Sequence, residues 1–237
     1  MTNYFKFPHG NSHRKFLTSL DSFLSSEENV FAEFARLQEF TAVHCTGDTQ
    51  TASSERNKDK NRYRDVLPYC WRTVRIPDEE ARPGEEQNKY INASWIVFKN
   101  MKQSFIASQG PMEDTISDFW VCVMSHNVNT ICQLTPLVEG GRVKCAQYWP
   151  EGPSPLHCDN VRVSLLTTEE QENLVIRTFS LLNTARPDQT EKVVTHISVR
   201  EWSDYSVPDS TAVLLNLIQL IEKISRPQSP SSFNRIK

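Results

Sequence analysis

The segment from residue 88 to residue 111 contains two pieces rich in aromatic and β-branched residues, NKYINASWI (88–96) and FIASQGP (105–111). Residues of these types favour β-strands, so the segment predicts a pair of strands. Apolar residues then recur at the spacing of one buried helix face: Ile116, Phe119, Trp120, Val123 and Met124. Thr115, with Asp118 three residues later, predicts the N-terminal cap of that helix.

On the N-terminal side, apolar residues at helical spacing predict two helices, over residues 16–24 and 30–37. Polar sequence then predicts a loop over residues 46–60, and a stretch rich in proline and charge predicts another over residues 77–89. The basic run at residues 56–64 also carries an aspartate, and a solvated loop is the ordinary interpretation of such a run.

On the C-terminal side, strand patterns occupy residues 130–135, 161–165 and 193–199. A final amphipathic helix is predicted from Thr211, with Ser210 as its cap and its end at Arg226 and Pro227. Helices and strands mix without regular alternation, so the predicted fold class is α+β. The whole chain, residues 1–237, is interpreted as a single domain, with residues 225–237 as a disordered tail.

The composition is that of an ordinary globular protein with a substantial core, at 38% apolar and 23% charged residues. A net charge of −3 gives no electrostatic reason to expect nucleic acid or a membrane surface as a partner. The six cysteines form no Cys-x-x-Cys pair, so we expect reduced thiols, no zinc and no cofactor. The N-terminus lacks the apolar core of a signal peptide, so a cytoplasmic location is predicted.

Five stretches, in this order and at this spacing, resemble the protein-tyrosine phosphatase domain of the non-receptor class. They are NRYRDVLPY (61–69), NKYINASWI (88–96), FIASQGP (105–111), DFW (118–120) and KCAQYWP (144–150). The resemblance extends from about residue 16 to residue 224. It implies a twisted mixed β-sheet flanked by helices, and an activity that hydrolyses phosphotyrosine.

The resemblance also implies a substrate site. Tyr63 matches the residue whose ring packs on the phosphotyrosine ring, and Asp65 matches the carboxylate that accepts hydrogen bonds from the substrate backbone. Glu139 matches a carboxylate that orients the catalytic arginine, and Lys144 a lysine near the active-site loops. Without the resemblance, each of these would be interpreted as an ordinary surface residue.

The stretch WSDYSVPDS (202–210) resembles the mobile Trp-Pro-Asp loop of the family. By that resemblance Asp204, beside Trp202, would be the general acid that protonates the leaving tyrosyl oxygen. Ser203 stands where the family has proline and Ser206 where it commonly has glycine. Because proline restricts the backbone, we expect Ser203 to loosen this loop.

The family's nucleophile is a cysteine in a His-Cys-x5-Arg loop, and no cysteine here has an arginine six residues later. The His-Cys pairs at 44–45 and 157–158 are interpreted as coincidences. We therefore expect a C-terminally truncated, incomplete phosphatase fold without enzyme activity. The residues named above would then be vestiges of an active site.

Three functions remain open from the sequence. The first is an inactive tyrosine phosphatase-like protein, a pseudophosphatase, that binds proteins or interferes with phosphotyrosine signalling. Its candidate partners are tyrosine-phosphorylated or phosphatase-related proteins, and self-association through the apolar face of residues 211–224 is expected. The second is an active phosphatase completed in trans or by further C-terminal sequence. The third is a decaying gene product without a role.

A second resemblance concerns the setting in which such a protein would act. The chain is similar in size to the tyrosine phosphatase-like proteins of the bracoviruses of parasitoid wasps, some of which are degenerate. Members of that group are thought to act inside host cells against signalling and immune adhesion. The resemblance implies the cytoplasm of an infected host cell as the place of action.

Overall fold

The computed structural model describes residues 11–44, 47–78, 88–98, 104–186, 188, 190–200, 202–203, 206–208 and 210–225. Its helices are α1 (Asn11–Leu24), α2 (Glu27–His44), α3 (Gln50–Ser53), α4 (Ile116–Ser125) and α5 (Thr211–Ser225). Its first strands are β1 (Thr73–Pro77), β2 (Asn88–Val97), β3 (Ser104–Ser108), β4 (Thr130–Gln133) and β5 (Val138–Glu139). The others are β6 (Arg142–Val143), β7 (Leu156–Cys158), β8 (Val161–Glu170), β9 (Leu174–Asn183) and β10 (Lys192–Val199).

The longer strands form two sheets. One has three antiparallel strands in the order β1-β2-β3, and the other has five strands in the order β4-β10-β9-β8-β7. The larger sheet is mixed, because β4 runs parallel to β10 while the other neighbours are antiparallel. Strands β5 and β6 form a separate small hairpin. The predicted α+β class, a mixed sheet flanked by helices, is confirmed.

Helix α4 packs against both sheets and is the centre of the core. Trp120 and Val123 join the cluster on the larger sheet, which includes Phe179 and Leu181 of β9, and Cys122 joins the cluster on the smaller sheet. Of the apolar face predicted for this helix, Trp120 and Val123 are buried, and Ile116, Phe119 and Met124 are partly buried against the same cluster. Burial of such large side chains is the main source of free energy that stabilises a domain of this size.

The predicted cap of α4 is wrong in its details. The Thr115 hydroxyl accepts a hydrogen bond from the Met112 amide at 2.9 Å, so it closes the 3-10 turn that precedes the helix. The Asp118 carboxylate is buried and accepts a hydrogen bond from Lys60 Nζ at 2.7 Å. The Asp118 side chain, which a capping box would have used, therefore forms a long-range ion pair with Lys60 instead.

Two further expectations need correction. The predicted loop over residues 46–60 contains the short helix α3 and a 3-10 turn at Lys58–Lys60. Strand β9 was missed, and it lies in the middle of the larger sheet, with Phe179 and Leu181 fully buried. Its sequence, LVIRTFSLLN, shows neither a strict alternation of apolar and polar residues nor an unbroken apolar run, so neither strand pattern identified it.

Helix α5 begins as predicted, with the Ser210 hydroxyl accepting a hydrogen bond from the Ala212 amide at 3.2 Å. Leu217 is buried against strands β9 and β10, but Leu215 and Ile218 of the same helix are 57% and 46% exposed. The apolar surface of α5 is thus only partly covered. Its predicted end at Arg226 and Pro227, and the tail beyond, lie outside the described residues. In the described ranges no helix is long and apolar enough to cross a membrane.

Candidate functional site

The loop that carries Tyr63 is fixed at its start by Asn61. The Asn61 Oδ1 atom accepts hydrogen bonds from the Tyr90 hydroxyl at 2.5 Å and from Asn92 Nδ2 at 2.9 Å. Its Nδ2 atom donates to the Ala52 carbonyl at 2.9 Å. One amide side chain therefore joins the loop to β2 and to α3, and both groups of that amide are satisfied.

The next residue, Arg62, binds three main-chain carbonyls of two other segments. Its guanidinium donates to Gly110 at 3.0 Å, to Pro111 at 2.7 Å and to Val143 at 3.2 Å. Its own amide donates to Gln109 Oε1 at 2.9 Å. The planar, permanently charged guanidinium suits such multiple bonding. The interpretation of the basic run 56–64 as a solvated loop is therefore wrong for this residue.

Tyr63 and Asp65 follow the anchoring residues Asn61 and Arg62 in the same loop. The Tyr63 side chain is 43% exposed, and Asp65 is exposed as well. An exposed ring on a loop held at two preceding residues can contact a ligand without a large ordering cost. Their roles in binding a substrate ring and a substrate backbone stay predictions.

Lys144 and Gly110 meet on the side of the loop that Arg62 reaches. A Cβ atom at Gly110 would lie 2.7 Å from the Lys144 carbonyl oxygen and 3.0 Å from Cys145 Cβ, so only glycine fits there. The Lys144 amide in turn donates to the Leu137 carbonyl at 2.8 Å. Lys144 therefore adjoins the segments that fix the Tyr63 loop.

Glu139 and Trp202 come together at a different place. Both line a depression of about 330 Å³, together with Ser203 and Ser206. The Trp202 indole donates to the Ser206 carbonyl at 3.2 Å, and the Ser206 hydroxyl donates to the Ser203 carbonyl at 2.7 Å. The Ser206 side chain thus adds a hydrogen bond that glycine could not make. Asp204, the predicted general acid, lies outside the described residues.

The buried cysteines do not resemble nucleophiles. Burial raises the pKa of Cys122 to about 12, that of Cys145 to about 11 and that of Cys158 to about 11. A thiol attacks as its thiolate, so these three cysteines are almost entirely unreactive at neutral pH. Across the described ranges, no group of three potential metal ligands comes together.

The structure thus brings the predicted residues together in two groups. Arg62, next to Tyr63, donates to the carbonyl of Val143, the residue before Lys144, whereas Glu139 and Trp202 share the depression near Ser206. Sequence reasoning missed Asn61, Arg62 and Gln109, whose side chains hold the loops in place. All three residues lie in the stretches that resemble the family, so the resemblance could have identified them.

Replacing Arg62 with methionine should lower the free energy of unfolding by about 2 kcal/mol, because three carbonyls lose a charged donor. Lysine should restore only part of this, since one ammonium cannot span the same acceptors. Arg64→Met, at an exposed position of the same loop, is the matched control and should change little. Urea denaturation at pH 7 measures all three variants. Equal losses at both positions would contradict the anchoring role of Arg62.

The fold and the arrangement of these loops define a class of protein. The family model described as protein-tyrosine phosphatase matches residues 57–233, and the chain belongs to that family. It is 36% identical over 186 residues to human receptor-type tyrosine-protein phosphatase H, an alignment that covers 78% of this chain and 16% of the relative. It is 32% identical over 200 residues to rat tyrosine-protein phosphatase non-receptor type 20, covering 83% of this chain and 44% of the relative.

The human tyrosine-protein phosphatase non-receptor type 20 is similar to the same degree. It is 32% identical over 212 residues, an alignment that covers 87% of this chain and 48% of the relative. The chain therefore spans less than half the length of these curated relatives. Receptor and non-receptor types both occur among them, so the similarity establishes the phosphatase family without selecting one type.

Proposed function

We propose that these 237 residues form a tyrosine phosphatase-like domain that does not hydrolyse phosphotyrosine by itself and acts by binding another protein. The observation that carries the proposal is in the sequence, where none of the six cysteines is followed six residues later by arginine. A cysteine in that loop is the nucleophile implied by the family resemblance. The high pKa of the three buried thiols supports the proposal, because none of them is a substitute thiolate.

Because the proposed domain lacks the phosphate-binding loop, we expect its binding to a protein partner not to depend on a phosphate group. A phosphate dianion is costly to remove from water unless charged and main-chain donors surround it. The missing loop would have supplied most of those donors. The anchored loop at Asn61 and Arg62 and the exposed ring of Tyr63 remain as a surface for a protein partner, with or without a phosphorylated tyrosine. The cytoplasm, and an infected host cell, stay predictions as the place of action.

The experiment is a hydrolysis assay on the purified 237-residue chain. With para-nitrophenyl phosphate and with a phosphotyrosine peptide, we expect no phosphate release above the buffer rate. The six single cysteine-to-serine variants should be indistinguishable from the parent chain. Turnover that vanadate inhibits, and that one of these variants abolishes, would overturn the proposal and identify the nucleophile.

The second half of the experiment measures binding with a fluorescent peptide, in its phosphotyrosine and its tyrosine forms. Equal affinities of the two forms are expected, because the principal phosphate contacts are absent. A phosphotyrosine preference of more than about tenfold would mean that a phosphate site exists. Such a result would favour the second candidate, a phosphatase whose nucleophilic loop comes from other sequence.

A further inference from the structure

Residues 151–155, with the sequence EGPSP, form a surface loop between two fixed points of the fold, and we name it the Ser-Pro loop. All five residues are exposed, and none of them belongs to a helix or a strand. Before the loop, Trp149 and Pro150 are buried. After it, strand β7 begins at Leu156 and ends at the buried Cys158. The Ser-Pro loop therefore projects from a well-packed part of the core.

The Ser-Pro loop forms no hydrogen bond within the described part of the protein. The Ser154 hydroxyl is therefore not occupied by another protein group. The chain bends over residues 151–154, and no hydrogen bond has to break when that bend is straightened. Gly152 and Ser154 each precede a proline, which favours extended backbone at both positions. The loop can thus be extended at low cost.

A kinase contacts residues on both sides of the serine that it modifies, so the start of β7 must be able to follow the loop. Strand β7 has three residues and lies at the edge of the larger sheet, where β8 is its only neighbour among the described strands. A short edge strand with few hydrogen bonds opens locally at low cost. Leu156 and His157 can therefore leave the sheet while the buried Trp149 still holds the other end.

The residues around Ser154 select one class of kinase. Residues 145–153 contain no lysine or arginine, and Glu151 stands three positions before the serine, so a kinase with an acidic pocket for a preceding cation would reject the site. Residues 155–157 contain no carboxylate, which excludes a kinase that reads acidic residues after its serine. Pro155 has no N–H group to donate, so it fits a pocket that needs none.

We propose that Ser154 is a phosphorylation site, modified by a kinase that requires proline directly after its serine. The Ser154 oxygen forms a bond to the γ-phosphorus of ATP, and the bond from that phosphorus to the oxygen bridging the β-phosphate breaks. The hydroxyl proton passes to a carboxylate of the kinase, and ADP leaves. The product carries a charge of about −1.5 to −2 on the loop. The inference is independent of the proposed function, since it involves neither hydrolysis nor a phosphotyrosine site.

Two other hydroxyl residues of the chain precede proline, Thr135 and Ser229. Ser229 lies outside the described residues. The Thr135 carbonyl accepts a hydrogen bond from Gln133 Nε2 at 2.9 Å, and two residues later the Leu137 carbonyl accepts one from the Lys144 amide at 2.8 Å. Thr135 is therefore held by hydrogen bonds on both sides, whereas the Ser-Pro loop has none. This difference makes Thr135 the internal comparison for Ser154.

The test treats the 237-residue chain, carrying Ser229→Ala, with ATP and a purified mitogen-activated protein kinase, which requires proline after its serine. Peptide mapping by mass spectrometry should find phosphate on Ser154, and Ser154→Ala should remove it. Pro155→Ala keeps the hydroxyl and loses the proline, so the rate at Ser154 should fall by at least about tenfold. A kinase that requires arginine before its serine should leave Ser154 unmodified. Thermal unfolding checks that the variants are folded.

A second measurement separates the fold from the sequence motif. Synthetic peptides of residues 148–160 and 129–141 are treated with the same kinase. Ser154 in the folded chain should react at a rate within about tenfold of its peptide, because little has to open. Thr135 in the folded chain should react at least about tenfold more slowly than its peptide, because its segment must first break hydrogen bonds.

Two results would overturn the inference. The first is a folded chain in which Ser154 stays unmodified, whether or not its peptide reacts, because the loop would then not be presented to the kinase. The second is an unchanged rate at Ser154 in Pro155→Ala, because the proline would then not be recognised.

Discussion

Replacing Trp120 with alanine should lower the free energy of unfolding by about 3–5 kcal/mol, the range for deleting a large buried aromatic side chain. The ring is fully buried, and it contacts the rings of Phe119, Tyr148 and Phe179. Its indole N–H donates to the Tyr148 carbonyl at 2.6 Å. Because a typical domain is stable by only about 5–15 kcal/mol, this one substitution should remove a large part of the protein's stability.

Two variants test the reason for the loss. Trp120→Phe keeps most of the ring but removes the N–H donor, so it should cost about 1–3 kcal/mol by leaving the Tyr148 carbonyl without this partner. Trp71→Ala removes a tryptophan that is 66% exposed and loses its stacking on Tyr69 and its contact with Arg72, so it should cost about 1 kcal/mol or less. Calorimetry compares the three. A loss at Trp71 as large as that at Trp120 would contradict the assignment of α4 to the centre of the core.

The second large effect is a loss of stability in acid caused by His196. Its imidazole is fully buried, and burial, together with the positive charge of Arg177, lowers its pKa from 6.5 to about 3. Its Nε2 atom lies 2.7 Å from the Tyr148 hydroxyl. Between these two pKa values the unfolded chain binds a proton that the folded protein does not.

The direction of the effect follows from that difference. The full stability is present above about pH 6.5 and is lost as the pH falls toward 3, by up to about 1.4 kcal/mol per pH unit. This one group should therefore cost about 3 kcal/mol between pH 7 and pH 4. His196→Gln should flatten the pH dependence of urea unfolding by that amount, whatever its effect at pH 7. The same slope in both proteins would mean that His196 is protonated in the folded state.

The helices and strands that could be predicted from the sequence are those whose residue pattern fits only one kind of secondary structure. The apolar residues of α4 recur at helical spacing only, and the serine before α5 has the ordinary role of a cap. Strand β9 could not be predicted in the same way, because polar residues interrupt its apolar ones without a regular alternation. The short helix α3 was missed since four residues carry too little periodicity to be recognised.

The candidate site was also predicted only in part: its motif residues were found from the sequence, and the contacts that hold them were not. The motif stretches identified Tyr63 and Lys144 by resemblance, but the bonds that hold Arg62, the neighbour of Tyr63, go to carbonyls far along the chain. A main-chain carbonyl has no sequence signature, so an arginine that binds three of them looks like one more charge in a basic run. The pairing of Lys60 with Asp118 was missed for a similar reason, because the two residues are 58 positions apart.

The division of the strands into two sheets has a consequence for the timing of local opening. Strands β9 and β10 lie between hydrogen-bonded neighbours, so their amide protons should exchange with deuterium only when the whole domain unfolds. Among the described residues, β3 and β4 each have one hydrogen-bonded neighbour, and the amides of Ile106, Ser108, Thr130 and Cys132 point away from it, so they should exchange within the dead time of the measurement. Two strands with fast-exchanging amides would therefore occur in a domain whose central strands exchange slowly.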